Sequence, residues 1–286
     1  MNWTVAIVLV ILAIVVVLRL IAWWGWRLVS YLFSRLITVI SQVRQRDDIT
    51  ALGAKFEARF PRTAGFLHAR LTPDRFTGLP LTLVVIAAFY LAALFGGLVE
   101  ELFEADELVR FDQWLNQQLA PLRTDGVITL FAWITDLGSS ATLVAVALVT
   151  TGLLWGRSHG YMIAPLWLTL IGSQITTYTG KYVIARPRPE FITEVVALTP
   201  SFPSGHATSA MAVYGFIACI LATRVAGIRP RFEIIYWAAV LIALVGFSRM
   251  LLSVHYVSDV AAGFLVGGFW LLLGFALAEH RRRLIE

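Results

Sequence analysis

Residues 260–278 read VAAGFLVGGFWLLLGFALA, a run without a charged side chain that begins directly after Asp259 and is followed by Arg281, Arg282 and Arg283. An α-helix needs about 20 consecutive apolar residues to cross the hydrocarbon core of a bilayer, so this run predicts a membrane span. Its flanks agree, because a carboxylate suits the start of a helix and arginines its end. The pattern recurs along the chain. Of the 286 residues, 58% are hydrophobic and 14% charged, whereas soluble domains carry about 25% charged residues. That balance excludes an ordinary soluble enzyme.

Working back from this last span, Ile234 to Leu252, Ala207 to Ala222 and Tyr161 to Tyr178 are further candidates. Residues 126–155 are too long for one simple crossing. The break Asp136-Leu137-Gly138-Ser139-Ser140 divides them into a short lead-in helix and a span. Leu81 to Val99 forms another span, and Val109 to Leu119 an interfacial helix. Trp3 to Leu20 is the first span; without a basic n-region or a small-residue cleavage site it reads as an anchor rather than a cleaved signal. Ile21 to Val43, with Trp23, Trp24 and Trp26 and the spaced Arg27 and Arg35, continues that helix through an aromatic belt as an amphipathic segment. Pro61, Pro73 and Pro80 break the polar stretch that follows into a loop with short surface helices. The expectation is an all-α, polytopic membrane helical bundle of seven spans. Residues 1–80 supply an N-terminal span and a basic loop, residues 81–280 a six-helix core, and residues 281–286 a basic tail.

The formal net charge is +5, but the basic residues are scattered among loops. A nucleic-acid binder would gather them on one soluble face, so no nucleic-acid partner is expected. They report topology instead. Arg44, Arg46, Lys55, Arg59, Arg62, Arg70 and Arg75, then Arg157, then Arg224, Arg229 and Arg231, and finally the C-terminal trio all fall on one side of the seven spans. The positive-inside rule makes that side cytoplasmic. The acidic cluster Glu100, Glu101, Glu104, Asp106 and Glu107 then faces outward, as do the loops holding Lys181 to Gly205 and Arg249 to Asp259. Lys181, Arg186, Arg188 and Arg249 break the bias, and an anion bound there is a reason for them to do so.

Three segments gather at that outer face: Lys181 to Pro189, Pro203-Ser204-Gly205-His206, and Ser248-Arg249 with His255 and Asp259. Lys181, Arg188 and Arg249 are three cations fit to hold a dianionic phosphate, the arginines by bidentate contact. The Ser204-Gly205 turn offers backbone N–H groups at a helix start, and Gly205 permits close approach. His255 and Asp259 stand four apart and share a helical face, so the carboxylate can fix one ring nitrogen and leave the other to attack. His206 is the second imidazole, suited to protonating a leaving oxygen and then activating water. Intramembrane ionisable groups are functional by default, and this cluster fits phosphoryl transfer stabilised by side-chain cations.

K-x6-RP, PSGH and SR-x5-H-x3-D in this order resemble the type 2 phosphatidic acid phosphatases, a family of membrane lipid phosphatases related to the soluble vanadate-dependent haloperoxidases. The resemblance covers Leu81 to Ala278. It implies a phosphohistidine on His255, with Asp259 as its partner and His206 as acid and base. It also implies phosphate binding by Lys181, Arg188, Ser204, Gly205 and Arg249, with no metal and no cofactor. Expected substrates are phosphatidic acid, phosphatidylglycerol phosphate or a polyprenyl diphosphate such as undecaprenyl diphosphate, cleaved at the outer face of the plasma membrane. A lipid phosphotransferase using the same His255 is the alternative within the fold. A non-catalytic anion transporter is the alternative outside it, although it would spread charges through the depth of the spans. The apolar spans argue against a haloperoxidase.

The remaining polar features have plainer readings. Arg186 lies outside the motif and is as well read as a solvated loop charge as a phosphate ligand. Glu190 and Glu194 suit a solvated loop face, and Asp136 suits a helix cap at the break. Gly263 and Gly267 form a G-x-x-x-G read as packing within the chain rather than dimerisation. Cys219, the one cysteine, is a packing residue that offers no disulfide and no cysteine metal site. His68 and His280 lie away from the cluster.

Overall fold

A computed structural model describes residues 3–44, 55–72, 76–104, 106–189 and 199–285. Arg46, Arg75, Glu190 and Glu194 therefore lie outside the described residues, as do the side chain of Arg44 and the breaks at Pro73. Every regular element among the described residues is helical. They divide into two compact units, Val5–Leu83 and Val84–Glu286, the latter grouped with Met1–Thr4.

In the first unit α1 (Trp3–Arg44) is one helix of 42 residues, about 63 Å at 1.5 Å per residue. It is thus longer than a bilayer is thick, as the amphipathic second half predicts. Its span Val5–Leu32 is wholly unburied, which suits side chains facing lipid. Arg27 lies over the Trp24 ring at 5.5 Å and Arg35 over Tyr31 at 5.3 Å. These pairs set cations beside amphipathic rings, the arrangement of an interfacial belt. α2 (Pro61–Leu71) opens on a proline, whose missing N–H costs nothing in a first turn.

α3 (Leu79–Glu104) leads into the second unit, followed by the amphipathic α4 (Asp106–Leu119). α5 (Asp125–Asp136) and α6 (Ser140–Gly156) form the expected lead-in and span, bent by 41° at the break. The cap at that break is Ser139, whose hydroxyl accepts from Thr142 N–H at 3.2 Å. Asp136 ends α5, is exposed and lies within electrostatic range of Arg249, so the cap expected of it belongs to Ser139, three residues on.

α7 (Ile163–Ile184), α8 (Gly205–Arg224), α9 (Ile228–Leu251) and α10 (Val257–Arg283) complete the unit. α8 sits at its centre and packs against α10, α9 and α7. Leu143, Leu166, Leu170, Val213 and Phe216 make the core between them. Length and composition qualify five helices as spans, six with the bent pair. α7 is not among the five, yet it runs the full length of the bundle. Lys181 near its end reaches the chain just before α8, while Tyr161 just ahead of its start meets Arg224 at the far end of α8. Its polar Thr169, Ser173 and Thr177 are buried against protein rather than lipid, which is why a hydropathy average undervalues it. With 22 residues, α7 is long enough to cross as well.

Gly263 and Gly267 set α10 against α8. A Cβ on Gly263 would stand 2.7 Å from the Ser204 carbonyl oxygen, and one on Gly267 2.4 Å from that of Thr208. The G-x-x-x-G therefore serves packing within the chain, and the close approach it permits holds the start of α8 beside the start of α10.

Candidate active site

That approach lets Ser204 N–H donate to the Asp259 carbonyl oxygen at 2.9 Å, joining the second and third motifs through the backbone. Lys181 arrives from the last turn of α7 and donates to Pro200 O at 2.5 Å. The left-handed Ala185 (φ 50°) ends α7 there and turns the chain into the loop carrying both arginines. Arg188 crosses to the facing loop, donating to Thr199 O at 2.8 Å and Val254 O at 2.6 Å. Its Nη1 also lies 3.2 Å from His255 Nε2. Arg249, on the last turn of α9, donates to Thr135 Oγ1 at 2.7 Å and keeps a buried Nε without a partner. Ser204 Oγ is likewise buried and unpartnered. Lys181, Arg188 and Arg249 lie within electrostatic range of one another, and an anion bound among them would satisfy such unpartnered groups.

His255 sits in the short turn between α9 and α10 and is 2% exposed. A guanidinium only donates, so Nε2 serves as acceptor in the Arg188 contact, an arrangement that favours the tautomer with the ring proton on Nδ1. Nδ1 lies 3.4 Å from Asp259 Oδ2. This is near enough for electrostatic pairing, but Nδ1 has no hydrogen bond of good geometry. We take the distance as a loose contact that a shift of a few tenths of an ångström would close. Burial, and after it the charges of Arg249, Arg188 and Lys181, push the His255 imidazole well below its ordinary range. The ring is neutral, with a lone pair on the nitrogen that faces the cations. His206, in the first turn of α8, makes no hydrogen bond to the described residues but lies within electrostatic range of Arg249, His255, Arg188 and Lys181. Every expected site residue is thus drawn into one cluster.

Asp259 is held by more than its motif. Its Oδ2 accepts Tyr256 N–H at 2.9 Å, capping α10. Its Oδ1 accepts from Arg186 Nη1 at 2.6 Å. The other arm of Arg186 pairs with Asp112 Oδ2 at 2.7 Å, while Nη1 also donates to Ser258 Oγ at 2.7 Å. Asp112 in turn accepts from Ser258 N–H at 3.1 Å and from the Ser258 hydroxyl. Tyr256 lies under the guanidinium at 4.4 Å. Burial would lower the Arg186 guanidinium, but the Asp259 charge and the Asp112 hydrogen bond outweigh it and raise it. Arg186 is therefore a buried strut behind Asp259, neither a solvated loop charge nor a phosphate ligand in this arrangement. Asp112 escaped the sequence reading altogether. Its signal was present: Leu108, Leu115 and Leu119 place position 112 on the inner stripe of α4, where an aspartate is out of character.

Residues 161–283, which contain all three motifs, match the PAP2 superfamily. Phosphatidylglycerophosphatase B of Bacillus subtilis is 32% identical over 169 residues, covering 57% of this chain and 82% of that protein. The chain belongs to the PAP2 superfamily. A lipid A 1-phosphatase of Rhizobium etli is 27% identical over 167 residues, 49% of this chain and 66% of that protein's length. The crystal structure of a transmembrane PAP2 type phosphatidylglycerolphosphate phosphatase from Bacillus subtilis superposes with a TM-score of 0.61 and 28% identity. It covers 70% of this chain and 98% of that one. This PAP2 protein is a multi-pass membrane lipid phosphatase, and hence a hydrolase.

Proposed function

We propose that this PAP2 phosphatase hydrolyses a lipid phosphate through a phosphohistidine on His255, with phosphatidylglycerol phosphate the first substrate to test. The observation that carries the mechanism is the Arg188–His255 contact, with Nη1 3.2 Å from Nε2. It supports a lone pair on the nitrogen beside Arg188, within electrostatic range of Arg249 and Lys181. The substrate phosphoryl group takes the place between that nitrogen and the cations, which stabilise the charge on its three non-bridging oxygens. Nε2 attacks phosphorus in line, the P–O bond to the lipid breaks, and His206 gives its proton to the departing lipid oxygen. Asp259 stabilises the imidazolium side of the adduct through Nδ1–H. Water then attacks phosphorus, giving its proton to His206; the N–P bond breaks, inorganic phosphate leaves and both histidines are restored.

The choice of substrate rests on the Bacillus subtilis relatives, both phosphatidylglycerophosphate phosphatases by name. Phosphatidic acid and undecaprenyl diphosphate present the same phosphoryl group and belong in the same assay. The distribution of arginines and lysines supports an active site on the outer face of the plasma membrane. Purified protein should release phosphate from phosphatidylglycerol phosphate in EDTA without added acceptor, and rapid quenching should trap an acid-labile phosphoprotein. His255→Ala should abolish both. Undiminished activity in that variant, or complete loss in EDTA, would overturn the reading. Phosphate appearing only on an acceptor lipid would point to the transferase.

A further inference from the structure

α8 and α10 begin at the phosphate site and end 20 and 27 residues later at Arg224 and Arg283, about 30–40 Å away at 1.5 Å per residue. At that far end lies a cavity of about 480 Å³ whose polar lining includes Ser158, His159, Tyr161, Arg224, Glu279 and Arg282. Arg224 lies against His159 Nε2 and donates to the Tyr161 hydroxyl at 3.1 Å. A second cavity, of about 360 Å³, shares His159, Ile220 and Arg224 with the first. It continues between α6 and α8 along Leu153, Leu154, Ile217 and Leu221, with Arg157 at its rim. The two adjoin at these residues, the first with a polar lining at the end of the bundle and the second apolar along the helices.

The charges lining the two cavities are unequal. Glu279 is engaged by Arg282 at 2.5 Å and by Arg283 at 3.9 Å. Arg157 and Arg224 have no carboxylate partner among the described residues. A site with two uncompensated guanidinium groups at one end and an aliphatic groove at the other is complementary to a molecule with an anionic head and a hydrocarbon tail.

We propose that this site binds an anionic phospholipid from the leaflet opposite the active site, its phosphate held by Arg157 and Arg224 and one acyl chain lying between α6 and α8. Tyr161 and Ser158 add hydroxyl donors for the head. A zwitterionic lipid has no net negative charge to set against the two arginines, whereas phosphatidylserine keeps one because its carboxylate cancels its ammonium group; free phosphate lacks the chain that fills the groove. None of these residues touches the phosphate site, so the assignment stands apart from the phosphohistidine reading.

The test uses the purified full chain in neutral detergent, with phosphatidylserine as the anionic probe because its head carries no phosphate monoester to hydrolyse. Phosphatidylserine should raise the thermal midpoint, while phosphatidylcholine and inorganic phosphate should leave it unchanged. Arg157→Gln with Arg224→Gln should bind phosphatidylserine more weakly by about tenfold or more, the loss of one or two charge-assisted contacts. That variant should keep its turnover of a short-chain soluble substrate, which verifies its fold. Leu221→Trp, which fills the groove without changing charge, should weaken binding as well. An equal rise with phosphatidylcholine, a rise with phosphate alone, or retention of the phosphatidylserine effect in both variants would overturn the assignment.

Discussion

Arg186 divides the labour of Asp259. By taking Oδ1 at 2.6 Å it leaves Oδ2 to the Tyr256 N–H and to the Nδ1 edge of His255, so the carboxylate cannot rotate away from the nucleophile. Removing one member of a buried ion network leaves the others unpaired, which costs about 3–5 kcal/mol, and loss of a group that orients a catalytic residue costs about 10–100-fold in activity. Arg186→Gln should therefore lower kcat by about that factor with a smaller effect on KM, because the phosphate is held by other cations. Asp112→Asn keeps an oxygen for the Ser258 N–H and should lower kcat less. Equal losses in kcat/KM through KM alone would make Arg186 a phosphate ligand instead. The nucleophile carries a pH signature of its own. Its folded-state imidazole titrates well below the unfolded one, so between the two values the unfolded chain binds the extra proton and stability rises with pH. The thermal midpoint should accordingly fall as pH drops below about 6.5, the ordinary imidazole value, and His255→Gln should flatten that fall. An identical pH profile in the variant would show that His255 is not buried in the neutral form.

At the scale of elements, the α8–α10 contact carries the site, because it sets the Ser204 turn beside Asp259. Gly263 and Gly267 leave no room for a Cβ against Ser204 O and Thr208 O, and the obstacle is backbone, which cannot swing aside as a side chain can. Gly267→Val should lower the thermal midpoint and abolish turnover, since overpacking of this kind costs about 1–3 kcal/mol or more. Gly97→Val on α3, where a Cβ meets nothing within 4 Å, is the control and should leave both unchanged. Much of this was legible in the sequence, because each motif sits at the end of its own apolar run and local spacing places it. The break at Asp136 to Ser140 and the emergence of α1 through its tryptophans were legible for the same reason. The Asp112–Arg186–Asp259 network was not. Its members are 74 and 73 residues apart, and only the docking of α4 against the start of α10 shows that the odd aspartate has a partner.

For the whole molecule, the question is what residues before α3 contribute and which way the chain faces. The Bacillus subtilis structure is matched over 98% of its length by 70% of this chain, so that phosphatase is aligned without the remainder. A chain beginning at Leu79 should thus fold and keep its phosphatase activity; an inactive but folded product would assign the first 78 residues a part in turnover. Topology follows from parity. If α3, the bent α5–α6 pair, α7, α8, α9 and α10 make six crossings and α1 a seventh, the odd count predicts an N-terminus on the side of the active site. Arg157, Arg224 and the Arg281 to Arg283 cluster lie at the helix ends away from the active site, and the positive-inside rule predicts that this end is cytoplasmic. In a Cys219→Ala background, a cysteine placed at the N-terminus should react with a membrane-impermeant thiol reagent in intact cells. Ser158→Cys should react only after permeabilisation. In the shortened chain the parity reverses, and a cysteine at its new N-terminus should become inaccessible from outside. The opposite pattern in the full chain would move the active site to the cytoplasmic face, and with it the pool of lipid phosphate that this enzyme can reach.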